Sequence, residues 1–250
     1  LTTLFVNDPF LVAAAAAAYN REALGAASVV ELRRFVAAAI PARTRRSIQP
    51  AYETALGKPA AEIVRASTRG PYDLVVLGTK GLNGAKRLLL GSTTAGVLRR
   101  ARIPVLAVPP VDVAHRACVK PDGRWPGRTI LAAIEFGPRA AADVRRAGEI
   151  ARTFGSGLVL VHVVQTPVMP PWLSADVDAH LRLHCSQAEA ALDALRKEAG
   201  SVHVRTRVQV GDPPDAIAAM AAECGAGLIV MGLRGHAGMF GDAAGTHAYR

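Results

Sequence analysis

Val75-Val76-Leu77-Gly78-Thr79-Lys80-Gly81-Leu82-Asn83-Gly84, running on through Leu88-Leu89-Leu90 to Gly91-Ser92, decides how this chain is read. A short apolar run stops at a glycine, a glycine-rich loop follows, and Gly91-Ser92 opens a helical pattern. Strand, glycine loop and helix start, in that order, present backbone N–H groups to a phosphate. The spacing is Gly78, two residues, Gly81, nine residues, Gly91, then a hydroxyl residue, and it returns at Gly232, Gly235, Gly245 and Thr246.

The second occurrence is part of a longer repeat. A shift of 154 lays residues 57–93 on 211–247 without a gap. Gly57 falls on Gly211, Pro59 on Pro213, Ile63 on Ile217, Leu74 on Leu228 and Val76 on Val230. Self-similarity in one register means two copies of one structural unit.

Outward from the loops, short apolar runs alternate with alanine-rich stretches. Strands are expected at residues 4–6, 47–54, 72–77, 104–108, 129–135, 158–164, 202–210 and 228–231. Helices are expected at 11–40 with an interruption near Gly25, and at 60–68, 92–100, 140–154 and 175–199, with another opening at Pro213. Alternation of this kind predicts an α/β fold: two doubly wound, Rossmann-like units with mostly parallel sheets. The first spans residues 1–112, a Pro/Gly-containing linker 113–127, and the second 128–250.

Composition narrows the class. Half of the 250 residues are hydrophobic and a fifth charged, a globular balance. The net charge of +10 is one-sided, with 18 Lys/Arg against 8 Asp/Glu in residues 1–125 and 12 against 12 thereafter. A basic half can attract a phosphate ligand, nucleic acid or an anionic surface, or be a solvated face. Nucleic acid is not indicated, because the Arg43, Arg45, Arg46 cluster has no interleaved aromatics for stacking. Cys118, Cys185 and Cys224 form neither a disulfide framework nor a thiolate zinc pattern, so a reducing, cytoplasmic setting is expected. The apolar run at residues 9–19 is half the length of a membrane span.

The strand followed by Gly-x2-Gly-x9-Gly-[Ser/Thr] and then by Pro104-Val105-Leu106-Ala107-Val108 resembles the universal stress protein family in its tandem form. The resemblance implies an adenine-nucleotide site, for ATP, with phosphate and ribose contacts at Gly78, Gly81, Gly91 and Ser92 in the first unit. In the second unit it implies Gly232, Gly235, Gly245 and Thr246, with the backbone of Val163 against adenine. Glu135 stands where the family has an aspartate at the end of its first strand. On this matching the first unit lacks the family's opening strand and the second its last. The family pairs units through that last strand, which implies self-association through the edge from Ile103 to Val108.

The loop chemistry also stands without the resemblance. Glycines allow close approach and φ > 0, while Ser92 and Thr246 can cap a helix or donate to phosphate. The same residues also make tight turns and caps with nothing bound. Lys80, Lys86 and Arg87 favour phosphate at the first loop, whereas Asp242 opposes it at the second. His180 and His184 lie four apart beside Cys185, but no His-Glu-x-x-His pattern accompanies them and no metal site is expected. No nucleophile elbow and no Gly-x4-Gly-Lys-[Ser/Thr] loop occurs, so no enzyme is expected. Two readings remain: an ATP-binding stress-response protein, or a nucleotide-free dimerising module of the same fold.

Overall fold

The computed structural model describes residues 1–15, 21–79, 91–109, 125–165 and 177–232. The chain divides into two compact units, Leu1–Pro110 and Val111–Arg250.

In the first unit the elements are β1 (Thr2–Asn7), α1 (Pro9–Ala15), α2 (Arg21–Ala39), α3 (Ala42–Ile48), β2 (Ala51–Leu56), α4 (Pro59–Arg69), β3 (Val75–Gly78), α5 (Ser92–Leu98) and β4 (Val105–Val108). β1 pairs with β2 and β3 with β4, all parallel, as two separate two-stranded sheets. Two expectations are corrected here. The helical stretch is not broken at Gly25, which sits inside α2: its cost of about 1 kcal/mol relative to alanine is outweighed by the helix-forming residues around it. The strand expected at 47–54 begins only at Ala51, because residues 42–48 are helical. That helix ends at Gln49, a left-handed C-cap whose N–H bonds the Arg45 carbonyl, and Pro50 cannot continue it.

In the second unit they are β5 (Thr129–Ala133), α6 (Ala140–Phe154), β6 (Gly157–Val164), α7 (Val177–Leu195), continued by a 3-10 turn Arg196–Ala199, β7 (Val204–Val210), α8 (Pro213–Glu223) and β8 (Leu228–Met231). Its four strands form one parallel sheet in the order β7-β6-β5-β8. Side chains alternate across the strands, so β6 feeds both faces. Leu158 and Leu160 join Ile130, Val144, Ala147 and Leu192 under α6 and α7, while Val159 and Val161 join Leu131, Ile217 and Met220 under α8. β5 is buried throughout its centre, as a parallel strand covered by helices on both faces must be.

The repeat is visible in the backbone. α4 and α8 are both eleven residues long with proline in the first turn. Each follows a glycine of positive φ, Gly57 and Gly211, whose N–H bonds the last residue of β1 (Asn7) or β6 (Val164). β1 and β2 therefore correspond to β6 and β7, and β3 to β8. No described element of the first unit corresponds to β5 or α6.

No helix among the described residues is long and apolar enough to cross a membrane.

Candidate functional site

In a doubly wound sheet the ligand crevice opens at the carboxyl ends of the strands, where the strand order reverses. In the second unit that point lies between β5 and β8. The chain steps from β5 to β6 and β7 on one side, then returns with β8 on the other. Glu135 follows β5 and Gly232 follows β8, so the acidic residue and the first loop glycine flank the switch point. Val163 stands near the carboxyl end of β6, paired with Gln209 and half-buried on the α8 face.

Two groups that the sequence reading did not single out hold this end of the sheet. The Ile134 N–H donates to the Val161 carbonyl (2.8 Å), extending the β5 ladder past its last residue. The His162 ring places Nδ1 2.8 Å from the Ile134 carbonyl, so Nδ1 carries the proton and donates it. The same ring lies against Phe136 with centroids 4.2 Å apart. The turn that carries Glu135 is thus fixed from both sides. Beside it a cavity of about 530 Å³ is lined by Phe136, His162, Val163, Gln165 and, from α7, His180 and His184. The two α7 imidazoles touch edge to face. Among the described residues no three His, Cys, Asp or Glu side chains are grouped to hold a metal ion.

Asp143, in the first turn of α6, also reaches the switch point. A methyl group in place of a Gly232 hydrogen would lie 2.8 Å from its Oδ2, so a side chain there would make the Asp143 carboxylate move aside. Burial raises the Asp143 pKa above the ordinary value of 3.8; Arg139 lowers it and Glu135 raises it further.

In the first unit the structure brings Gly78, Gly91 and Ser92 together at the carboxyl end of β3. The Gly91 N–H donates to the Thr79 carbonyl (2.7 Å), closing the loop at its two ends, and the Thr79 N–H donates to Val108. The buried Thr94 hydroxyl donates to the Gly78 carbonyl (2.8 Å) and pins α5 to the strand. Thr94 was not anticipated; a hydroxyl in the first turn after the glycine was the available signal. Ser92 does not cap the helix as expected. Gly91 occupies the N-cap, without a side-chain bond, and Ser92 is the first helical residue. Nor do the described loop glycines use positive φ: Gly91 has φ −52°, Gly78 lies within β3, and Gly232 is not among the glycines of positive φ. Gly81, Gly235, Gly245 and Thr246 lie outside the described residues, as do Lys80, Lys86, Arg87 and Asp242.

A parallel α/β sheet with helices on both faces and loop glycines at its switch point defines a Rossmann-like class of fold. Within that class the universal stress protein family model matches residues 1–109 and 127–248, and the chain belongs to that family, in tandem form. A universal stress protein of Archaeoglobus fulgidus has a similar structure, with a TM-score of 0.56 at 22% identity, over 99% of this chain and 81% of that one. A putative universal stress protein of Pseudomonas aeruginosa gives 0.58 at 18% identity over 99% and 87%. Among curated proteins, Universal stress protein MJ0531 of Methanocaldococcus jannaschii is 46% identical over 52 residues, 21% of this chain and 31% of that protein. A Thermus aquaticus universal stress protein is 42% identical over 52 residues, 38% of its length. The chain thus matches about a third of the length of these curated relatives.

Proposed function

We propose that this chain is a cytoplasmic stress-response protein that binds an adenine nucleotide, ATP, and acts in signalling or protection. The observation that carries the reading is the placement of the repeated glycine pattern. Gly78 and Gly91 meet at the end of β3, and Gly232 and Glu135 follow the neighbouring strands β8 and β5 at the switch point. Backbone approach at a strand end and a carboxylate opposite it suit phosphate and ribose respectively. Val163 supplies the adenine edge. The nucleotide is held rather than turned over, so catalysis is not part of the reading.

Calorimetric titration with ATP tests it, on the wild type, Gly91→Val and Gly232→Val. Saturable binding that one variant loses supports the reading and names the working unit. Absence of heat at high concentrations of protein and ATP supports the second reading, a nucleotide-free interaction module. That module would self-associate through the edge from Ile103 to Val108. It is favoured by Val108, which is 42% exposed on β4, a strand paired among the described residues only with β3. A monomer by light scattering at high concentration would remove this second reading.

A further inference from the structure

We infer that the cavity between the end of β6 and α7 is a binding site of its own, for a small planar aromatic carboxylate. It borders Val163 but none of the described loop glycines, so it is separate from the phosphate end of the nucleotide reading. Its basis is how α7 leaves the sheet. Leu181, Cys185, Ala188 and Leu192 recur at helical spacing and form the inner stripe of this helix. Leu192 and Ala188 are buried, whereas Cys185 and Leu181 are only half-buried. Cover thins towards the start of α7, and the space of about 530 Å³ opens there. That volume suits a small-molecule site.

Two pairs of rings wall the cavity. On the sheet side the His162 ring is fixed by its bond to the Ile134 carbonyl and lies on Phe136, the two planes tilted by 32°. On the helix side His180 and His184, one turn apart, touch edge to face with centroids 4.2 Å apart. Between such walls a flat ring gains stacking and edge contacts that a saturated ring does not. The row His180, His184, Gln187, Ala191 lines the helix side and passes from imidazole and carboxamide to a small apolar residue. N–H groups of the first three types of position can donate to a carboxylate, while the apolar end receives the ring. No Asp or Glu among the described residues lines the cavity, Glu135 included, so no lining carboxylate opposes an anion.

The test is calorimetric titration of the full chain with 2-naphthoate, for the wild type, the double variant His180→Ala, His184→Ala, and Ala191→Leu. The wild type should bind it saturably. Both histidines are exposed, so their loss leaves the fold intact and should weaken binding roughly tenfold. Leucine at Ala191 should fill the space and weaken binding as much, with an unchanged circular dichroism spectrum. Benzoate should outbind cyclohexanecarboxylate. Equal affinity for those two acids, no saturation with naphthoate, or binding that ignores both variants overturns the inference. Competitive displacement of naphthoate by ATP also overturns it, because the cavity would then be the adenine end of the nucleotide site. Binding seen only with added Zn²⁺ overturns it too, making the imidazoles metal ligands. ATP titrated alone tests the nucleotide reading separately, so the two can fail independently.

Discussion

The two units share one repeat, and among the described residues β5 and α6 of the second have no counterpart in the first. In the second unit β5 lies between β6 and β8 and joins four strands into one sheet, whereas in the first the corresponding β1 and β3 belong to separate pairs. The consequence is seen in side chains. Among the described residues, the buried apolar side chains of the first unit are Val36, Val97 and Leu98, while the second buries Ile130, Leu131, Leu158, Leu160, Leu192 and many more. Val76 on β3 is 55% exposed, and Leu74 and Phe5 nearly as much. The sequences of these strands are no less apolar. A strand is buried by what lies beside and above it, and a central strand supplies cover for both its neighbours.

The sharpest way to break this contrast is truncation on the central strand. Leu131→Ala, at a position wholly shielded from solvent, should destabilise the second unit by roughly 2–5 kcal/mol in denaturant unfolding. Val76→Ala, on the half-exposed strand, should cost under about 0.5 kcal/mol. Equal losses would mean that β3 is as well covered as β5. The buried hydroxyls come next. Thr94 bonds the Gly78 carbonyl in one unit and Ser156 the Gly127 carbonyl in the other, at 2.8 and 2.7 Å. Thr94→Val and Ser156→Ala should each cost about 1 kcal/mol by the same measurement. Here the units should agree, because the bond is local to each.

The smallest effect concerns pH and belongs to the second unit alone. The folded-state pKa of Asp143 is raised, so the folded form holds its proton more tightly than the unfolded chain. Stability contributed by that proton is present at pH below the unfolded value and declines as pH rises through the window up to the folded one. Asp143→Asn should flatten this decline just above pH 3.8. A wild-type stability that instead rose more steeply than the variant's across that window would contradict the burial of the carboxyl.

The parts legible in sequence were those whose cause is local. The repeat that lays Gly57 on Gly211, and the bounds of α6 and β8, follow from short-range pattern and agree with the structure. α3 was missed because Arg43, Arg45 and Arg46 leave no apolar periodicity; its stop is a left-handed Gln49, which no propensity suggests. Among the candidate site residues, Gly78, Gly91 and Gly232 could be named because loop chemistry is written in neighbouring residues, and Glu135 because the resemblance to the family pointed to it. Asp143 and His162 could not. Asp143 meets Gly232 only because β8 packs beside β5, and His162 meets Ile134 only because β6 does. Those encounters are properties of strand order.

The hydrogen bond between Gly91 and Thr79 separates the fold of the first loop from its contents. A flexible connection between two such tied ends costs little in length: doubling the number of its residues would add only about 0.6 kcal/mol of closure entropy. Evolution can therefore rewrite the charge and length of that insert while the strand, the helix start and the glycines at its mouth remain as they are. A chain built on such a closure can change what it carries there without relearning how to fold.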